Sequence, residues 1–255
     1  MKRNFFLSVV GILGLLCAAQ RSPARQETVK TLSFGGYTWE IRPAGKGGPG
    51  PCNWNPRNVW LDKAGLHLKI SRVRNGSRTE WQCAELSTTQ ALGMGTYEFQ
   101  VTGPIDRLDR NIVLGLFDYP SPEVGPDGTN EIDIEFAHWG HPDAPIGNYT
   151  IYPSSGQRGK DDSHAFSFTL KGDDTTQRFV RTADSVSLQS LQAHRDDNQS
   201  EIAGWVYTPL DKRLIPQKPL PVHINFWLFQ GKAPTDAKEI TITIKKFTFT
   251  PAPGM

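Results

Sequence analysis

Cysteine is scarce in this chain, with only Cys17, Cys52 and Cys83 in 255 residues. A surplus of charge is also missing: 28 Lys and Arg face 26 Asp and Glu, and setting aside the first nineteen residues, with Lys2 and Arg3, leaves 26 against 26. A balanced surface has no general field to draw in polyanions, which argues against nucleic acid and against heavily sulfated glycans; a neutral, hydroxyl-rich partner fits better. No helical pattern runs longer than two turns, and no internal repeat is evident, so solenoids and propellers are excluded. His138, His141, His164, His194 and His223 lack metal-ligand spacing within one element. Asp161-Asp162 and Asp196-Asp197 could hold a structural calcium, but the glycine-punctuated loop such a site uses is absent and calcium is not indicated. No serine sits in a nucleophile-elbow sequence. No cofactor is required by anything in the sequence.

What is present begins with a leader. Lys2 and Arg3 precede an apolar stretch from Phe5 to Leu16 that ends in Ala18 and Ala19, the pattern of a secretory signal peptide over residues 1–19. The stretch is interrupted by Ser8, Gly11 and Gly14 and is shorter than the ~20 residues that span a bilayer, which disfavours an uncleaved anchor. Cys17 invites a lipid-attachment reading, but Leu16 is bulky where such sites want a small residue. The mature protein is therefore expected to be secreted or periplasmic, free of the membrane, and monomeric. Residues 20–30 are polar and aperiodic and read as a flexible lead-in; residues 31–255 read as one domain. In an oxidising compartment, Cys52 and Cys83 are expected to form a disulfide between the segment before a Val59–Leu61 strand and a Trp81–Leu86 strand, with two buried thiols as the alternative.

Short runs rich in β-branched and aromatic residues follow, separated by Gly, Pro, Asn and Asp. They are Tyr37–Ile41, Leu66–Ser71, Thr96–Val101, Ile112–Phe117, Ile132–Phe136, Ala165–Leu170, Val186–Leu191, Val222–Phe229 and Ile240–Phe249. Such spacing is the mark of an all-β sandwich. The Pro- and Gly-rich segments Gly45–Pro51 and Tyr119–Asn130 are natural rims for a groove.

The segment Glu131-Ile132-Asp133-Ile134-Glu135-Phe136 is the strongest chemical signal. The two-residue period of a strand sends Glu131, Asp133 and Glu135 to one face and the apolar residues to the other. Stacked like charges repel, so the arrangement costs stability unless protons, hydrogen bonds or a ligand compensate. A solvated outer face would produce the same pattern. The functional reading is glycoside hydrolysis, which needs one charged and one protonated carboxyl group. Four residues advance a strand by about 13 Å, while a retaining pair stands ~5–5.5 Å apart, so the two Glu side chains must lean together around Asp133.

The motif resembles the Glu-x-Asp-x-Glu signature of glycoside hydrolase family 16. Gly95-Thr96-Tyr97-Glu98-Phe99, Gly115-Leu116-Phe117 and His223-Ile224-Asn225-Phe226-Trp227 are similar to further strands of that family, in its order, from about Asn53 to Phe249. The resemblance implies a concanavalin-like β-jelly-roll of two antiparallel sheets with a substrate groove on the concave face. It implies Glu131 as nucleophile, Glu135 as general acid then base, and Asp133 as a helper that orients Glu131, in a retaining mechanism on a β-glucan-type polysaccharide. The motif lacks the inserted residue common in laminarinases, as in lichenases and xyloglucan-active members. Asn130 stands where several bacterial β-glucanases carry Trp. Residues 148–153 fall where the family has a substrate-facing strand.

Among seven tryptophans, Trp227 and Trp139 are the best candidates to stack on sugar rings, with Asn225 binding a hydroxyl and Phe117 walling the subsite. Asn53 and Trp54 are further substrate-binding candidates, while Trp39, Trp60 and Trp205 read as core. Rival readings are a non-catalytic, lectin-like β-sandwich, an envelope scaffold or adhesin, and a transglycosylase using the same carboxylates.

Overall fold

The structure, a computed structural model, describes residues 29–253. The expected signal peptide and residues 20–28 of the lead-in lie outside the described residues. Lys30, expected in the lead-in, instead opens the first strand, because residues Lys30–Phe34 pair antiparallel with Tyr37–Ile41.

In chain order the strands are β1 (Lys30–Phe34), β2 (Tyr37–Ile41), β3 (Gly45–Gly47), β4 (Cys52–Trp54), β5 (Val59–Asp62), β6 (Gly65–Asn75), β7 (Arg78–Gln82), β8 (Ala84–Leu92) and β9 (Gly95–Thr102). There follow β10 (Ile112–Asp118), β11 (Glu131–Ala137), β12 (Gly147–Tyr152), β13 (Asp162–Phe166), β14 (Asp174–Arg181), β15 (Val186–Gln192), β16 (Glu201–Tyr207), β17 (Leu220–Leu228) and β18 (Ile240–Pro251). One sheet has the order β1-β2-β8-β17-β10-β11-β12-β13 and the other β16-β15-β14-β9-β18-β6-β5, with β7 beside β6 and β3-β4 a separate ribbon. Every pairing between strands of the two large sheets is antiparallel. The sandwich expected from the sequence is what forms.

The expected strand runs fall on observed strands, with two shortened: Val222–Phe229 ends at Leu228, Phe229 opening a 3₁₀ turn. Ala165–Leu170 leaves the ladder after Phe166, because the Leu170 amide is taken by the Asp106 carboxylate at 2.9 Å. The first sheet shows why alternation builds the fold. In β17, Val222, Ile224, Phe226 and Leu228 turn into the core, while His223, Asn225 and Trp227 turn to the opposite face. Between the sheets, Phe247 meets Trp39 edge-on at 5.3 Å, Tyr37 at 5.6 Å and Phe99 at 5.0 Å, and Tyr97 stacks on Phe179 at 4.3 Å.

Cys52 and Cys83 are buried free thiols, so the expected disulfide is not formed. Their side chains share a hydrogen bond, and the Cys52 thiol also donates to the Leu228 carbonyl at 3.5 Å. The two segments are joined through the backbone instead: the Cys83 amide donates to the Asn53 carbonyl at 2.7 Å, and the Asn55 amide to the Cys83 carbonyl at 3.0 Å. The acid pairs considered for calcium are engaged locally. Asp196 holds Lys246 at 2.6 Å, Asp197 faces Arg195 at 3.4 Å, and Asp162 accepts the Ser163 amide.

One ion pair crosses the sandwich. Arg181 on β14 and Asp118 at the end of β10 are 1% and 0% exposed and meet at 3.1 Å. The Arg181 guanidinium also donates to the carbonyls of Leu92 at 2.8 Å and Gly93 at 2.9 Å and to the Tyr97 hydroxyl at 3.1 Å. Each charge thus has its partner where water cannot reach it, as burial demands.

Phe247 should be the most sensitive point of the aromatic core. Phe247→Ala is expected to cost about 3–5 kcal/mol by urea unfolding, as for other buried aromatic truncations, with the native fold retained in far-UV circular dichroism.

Candidate active site

The face of the first sheet turned away from the core forms the floor of an open cleft of about 640 Å³. Its chemistry is set by register. One row across the strands reads Glu85, Asn225, Gly115, Glu135, Asn148, and the next reads Ser87, His223, Phe117, Asp133, Thr150. Glu131 stands opposite Tyr152. Residues distant in sequence therefore share one floor because each strand alternates and each pairing is held in step.

The acid strand has defined ends. Asn130 adopts a left-handed conformation (φ 52°), which Asn tolerates well, and it is buried with its side-chain amide donating to Thr129 Oγ1 at 3.2 Å and Ser155 Oγ at 2.9 Å. Beyond the strand, Trp139 is also left-handed (φ 52°). For a bulky residue that conformation costs of order 1–3 kcal/mol. It brings the indole into the cleft wall, edge-on to Phe229 at 5.6 Å and 6.4 Å from Trp227.

The three carboxyl groups are tuned together. Burial pushes Glu131 up to about 8, raised further by the neighbouring Glu135, Asp118 and Asp127 and opposed by a hydrogen bond from Asp133. Burial and the adjacent Glu131 and Glu135 hold Asp133 well above the usual carboxylate range. Burial alone lifts Glu135 to about 7. Asp133 keeps a proton and donates it in a hydrogen bond to Glu131, which favours the charged form of Glu131 over that of Asp133. Glu135, with no such donor, stays protonated up to about neutrality. The column thus retains protons to near neutrality, Glu135 releasing its own at about 7 and Glu131 at about 8, so it can supply an acid there, and Glu131 once ionised is stabilised as a carboxylate by the Asp133 hydrogen bond.

Phe117, Trp139, Asn225 and Trp227, singled out from the sequence, line the cleft with the acid column. Asn53 and Trp54 do not. Trp54 is 3% exposed, gives its indole N–H to the Gly47 carbonyl at 3.2 Å, and carries the Arg42 guanidinium 4.2 Å above its ring. Asn53 turns its amide to the Trp81 carbonyl at 3.3 Å. Both support the rim that Arg42, Gly48 and Pro49 present to the cleft.

The sequence reading missed Arg42, Glu85, Tyr119, Asp127, Tyr152 and His223 as cleft residues. His223 was detectable by two-residue spacing from Asn225, and Asp127 by its place in the rim loop, where it accepts the Tyr119 hydroxyl at 3.0 Å. Arg42 and Glu85 carry no local signal. Burial raises Glu85, but His223 at 3.3 Å and Arg42 at 2.5 Å together hold it below its ordinary value. Several buried polar atoms of the cleft, Asn225 Oδ1, Trp227 Nε1 and Asp133 Oδ1, have no hydrogen-bond partner among the described residues.

The architecture is a β-sandwich of a kind also seen in solved structures of other proteins. No family model matches the chain, and no curated protein matches its sequence. Solved structures share the fold. They include a β-glucanase of Bacillus licheniformis, 20% identical over 84% of this chain and 92% of that one, with a TM-score of 0.61. A laminarinase from Flavobacterium sp. UMI-01 is 14% identical over 83% and 92%, with a TM-score of 0.62. A prokaryotic β-1,3-1,4-glucanase (lichenase) derived from a mouse hindgut metagenome is 22% identical over 84% and 93%, with a TM-score of 0.59. At these identities the likeness is one of fold.

Two measurements test the site's geometry. A methyl group at Gly115 would stand 2.5 Å from Asn225 Oδ1. Gly115→Ala should therefore displace Asn225 and weaken glycan affinity roughly tenfold, the worth of one misplaced hydrogen bond, with stability changed by under about 1 kcal/mol. The carboxyl cluster sets the second. Because the fold keeps Glu131 protonated up to about 8 against an ordinary 4.5, the unfolded chain releases its proton first, and this group's cost to stability grows as pH rises through that window. Glu131→Gln should thus raise the thermal midpoint more at pH 8 than at pH 4.5, and an equal change at both would contradict the burial of that charge.

Proposed function

We propose that this chain is a secreted glycoside hydrolase of family 16 that cleaves β-glycosidic bonds in a neutral, β-glucan-type polysaccharide by a retaining double displacement. The observation that carries the reading is the column Glu131, Asp133, Glu135 in the floor of an open cleft, with all three carboxyl groups raised in proton affinity by burial. The β-glucanase, lichenase and laminarinase that share the fold support the substrate class.

In this reading Glu131 attacks the anomeric carbon in its ionised form, which the Asp133 hydrogen bond stabilises, while Glu135 protonates the departing oxygen. A covalent glycosyl ester on Glu131 results. Glu135, now ionised, draws a proton from water, and the hydroxide displaces Glu131 with net retention. Asn225 Oδ1 accepts a hydroxyl of the sugar held at Glu131, and Trp227, Trp139 and Phe117 pack against the ring faces. Asp127 and Glu85 outnumber Arg42 along the cleft, so anionic glycans are disfavoured and a neutral chain is preferred. The signal-like leader supports export, and we propose that the enzyme acts as a monomer.

A binding protein would have no use for three carboxyl groups whose burial and mutual repulsion cost stability, so the lectin-like reading is the weaker one.

The acid pair separates the roles. Glu131→Gln should abolish turnover of glucan while leaving the fold intact. Glu135→Ala should still form the glycosyl ester from a substrate whose leaving group needs no proton, and azide should then restore turnover and yield a β-glycosyl azide of retained configuration. A product of inverted configuration from Glu135→Ala would reverse the assignment, and wild-type rates in both variants would refute it.

A further inference from the structure

The inward-facing positions of β10 before Asp118 are Ile112, Leu114 and Leu116, all buried in the core. The same alternation puts Asp118 in the core, where another apolar residue would satisfy packing alone. A buried ion pair is, by comparison with apolar residues of similar volume, an unfavourable way to fill that space. Its carboxylate has a second task. Asp118 Oδ1 accepts the backbone N–H of Ile132 at 2.9 Å, the amide that lies between Glu131 and Asp133. Asp118 faces Ile132 directly across the β10–β11 pairing, at the end of the strand where the rim loop departs.

We propose that Asp118, paired with Arg181 from the opposite sheet, is a positioning residue for Glu131: it anchors the Ile132 amide that follows Glu131 and sets its negative charge behind the first two acids of the column. The proposal rests on the hydrolase reading given above. Arg181 is itself fixed by the carbonyls of Leu92 and Gly93 and by Tyr97, so the anchor reaches the acid strand from the far sheet. The groups facing Asp118 are Arg181 on β14 and His223 on β17, with Tyr97 on β9 reaching it through Arg181. Those acting on Glu131 are Asp133 and Glu135 on its own strand, Asp118 on β10 and Asp127 in the rim loop, while Glu131 in turn acts on Tyr119 and on Tyr152 of β12. Burial raises Asp118 to about 6 with Arg181 opposing, so it is largely an anion at neutral pH. That anion adds to the repulsion that keeps a proton on Asp133, the proton donated to Glu131.

Two variants test this. Asp118→Leu/Arg181→Leu removes both charges and fills the space with apolar groups, so the fold should persist. The anchor on Ile132 is lost, and kcat on the mixed-linkage glucan lichenan should fall roughly 10- to 100-fold, the effect of a small misplacement of a reacting group, with KM within about twofold of wild type. Asp118→Asn removes the anion alone and leaves Arg181 facing the cluster. The titration midpoint of the Glu131 carboxyl, followed by carbon-13 NMR of labelled glutamate and assigned with Glu131→Gln, should move down by about half a unit or more. Wild-type kcat in the folded double variant, or an unmoved Glu131 midpoint in Asp118→Asn, overturns the proposal. A wild-type protein inactive on every glycan would count against the hydrolase reading, and the Glu131 midpoint, which needs no substrate, would still decide the role of Asp118. If the double variant fails to fold, the same midpoint decides.

Discussion

Three carboxyl groups on alternate residues of one strand repel one another, and the first sheet is arranged around tolerating that repulsion. The strand bearing them is interior to the sheet, held by β10 on one side and β12 on the other. Its other face, Ile132, Ile134 and Phe136, is fully buried and cannot turn outward without losing the core. The carboxyl groups are therefore kept together by apolar burial behind them, and the energy of that conflict is relieved by retaining protons. A strand with the same acids at a sheet edge would be free to splay.

The cleft is assembled from rows more than from loops. Asn225, Gly115 and Glu135 come from three strands and stand abreast because the pairings of β17, β10 and β11 are in step. Catalytic and binding groups mounted on paired strands hold their spacing better than groups on loops. The rim supplies what is adjustable: the segment with Gly48 and Pro49, and the loop carrying Tyr119 and Asp127.

Much of this was visible in the amino-acid sequence for a physical reason: a period of two is local, and Glu131 to Phe136 displays it within six residues. Trp227 and Asn225 were visible through the resemblance of the segment His223 to Trp227 to a strand of a known family. Arg42 and Glu85 were not, because they meet only through the pairing of β2 with β8 and of β8 with β17, which no short window contains. Trp54 was misplaced because an indole carries the same signal whether it faces a sugar or supports a guanidinium. The two cysteines beyond the expected leader suggested a bond between Cys52 and Cys83, whereas backbone hydrogen bonds already join their segments. Asp118 ends an apolar run, as many turn residues do, and nothing nearby in the chain points to Arg181.

The order of strands in the first sheet has a consequence for how the molecule comes into being. Strand β17 lies between β8 and β10, and its pairing with β8 joins residues such as Leu220 and Leu92 that are far apart in the chain. Contacts of such separation are slow to form because the intervening chain must be gathered first. Until β17 arrives, β8 and β10 have no common neighbour and Glu85 is detached from the acid column. An emerging chain therefore has its acids long before it has the floor of the cleft beside them, which is complete only once β17 takes its place between β8 and β10.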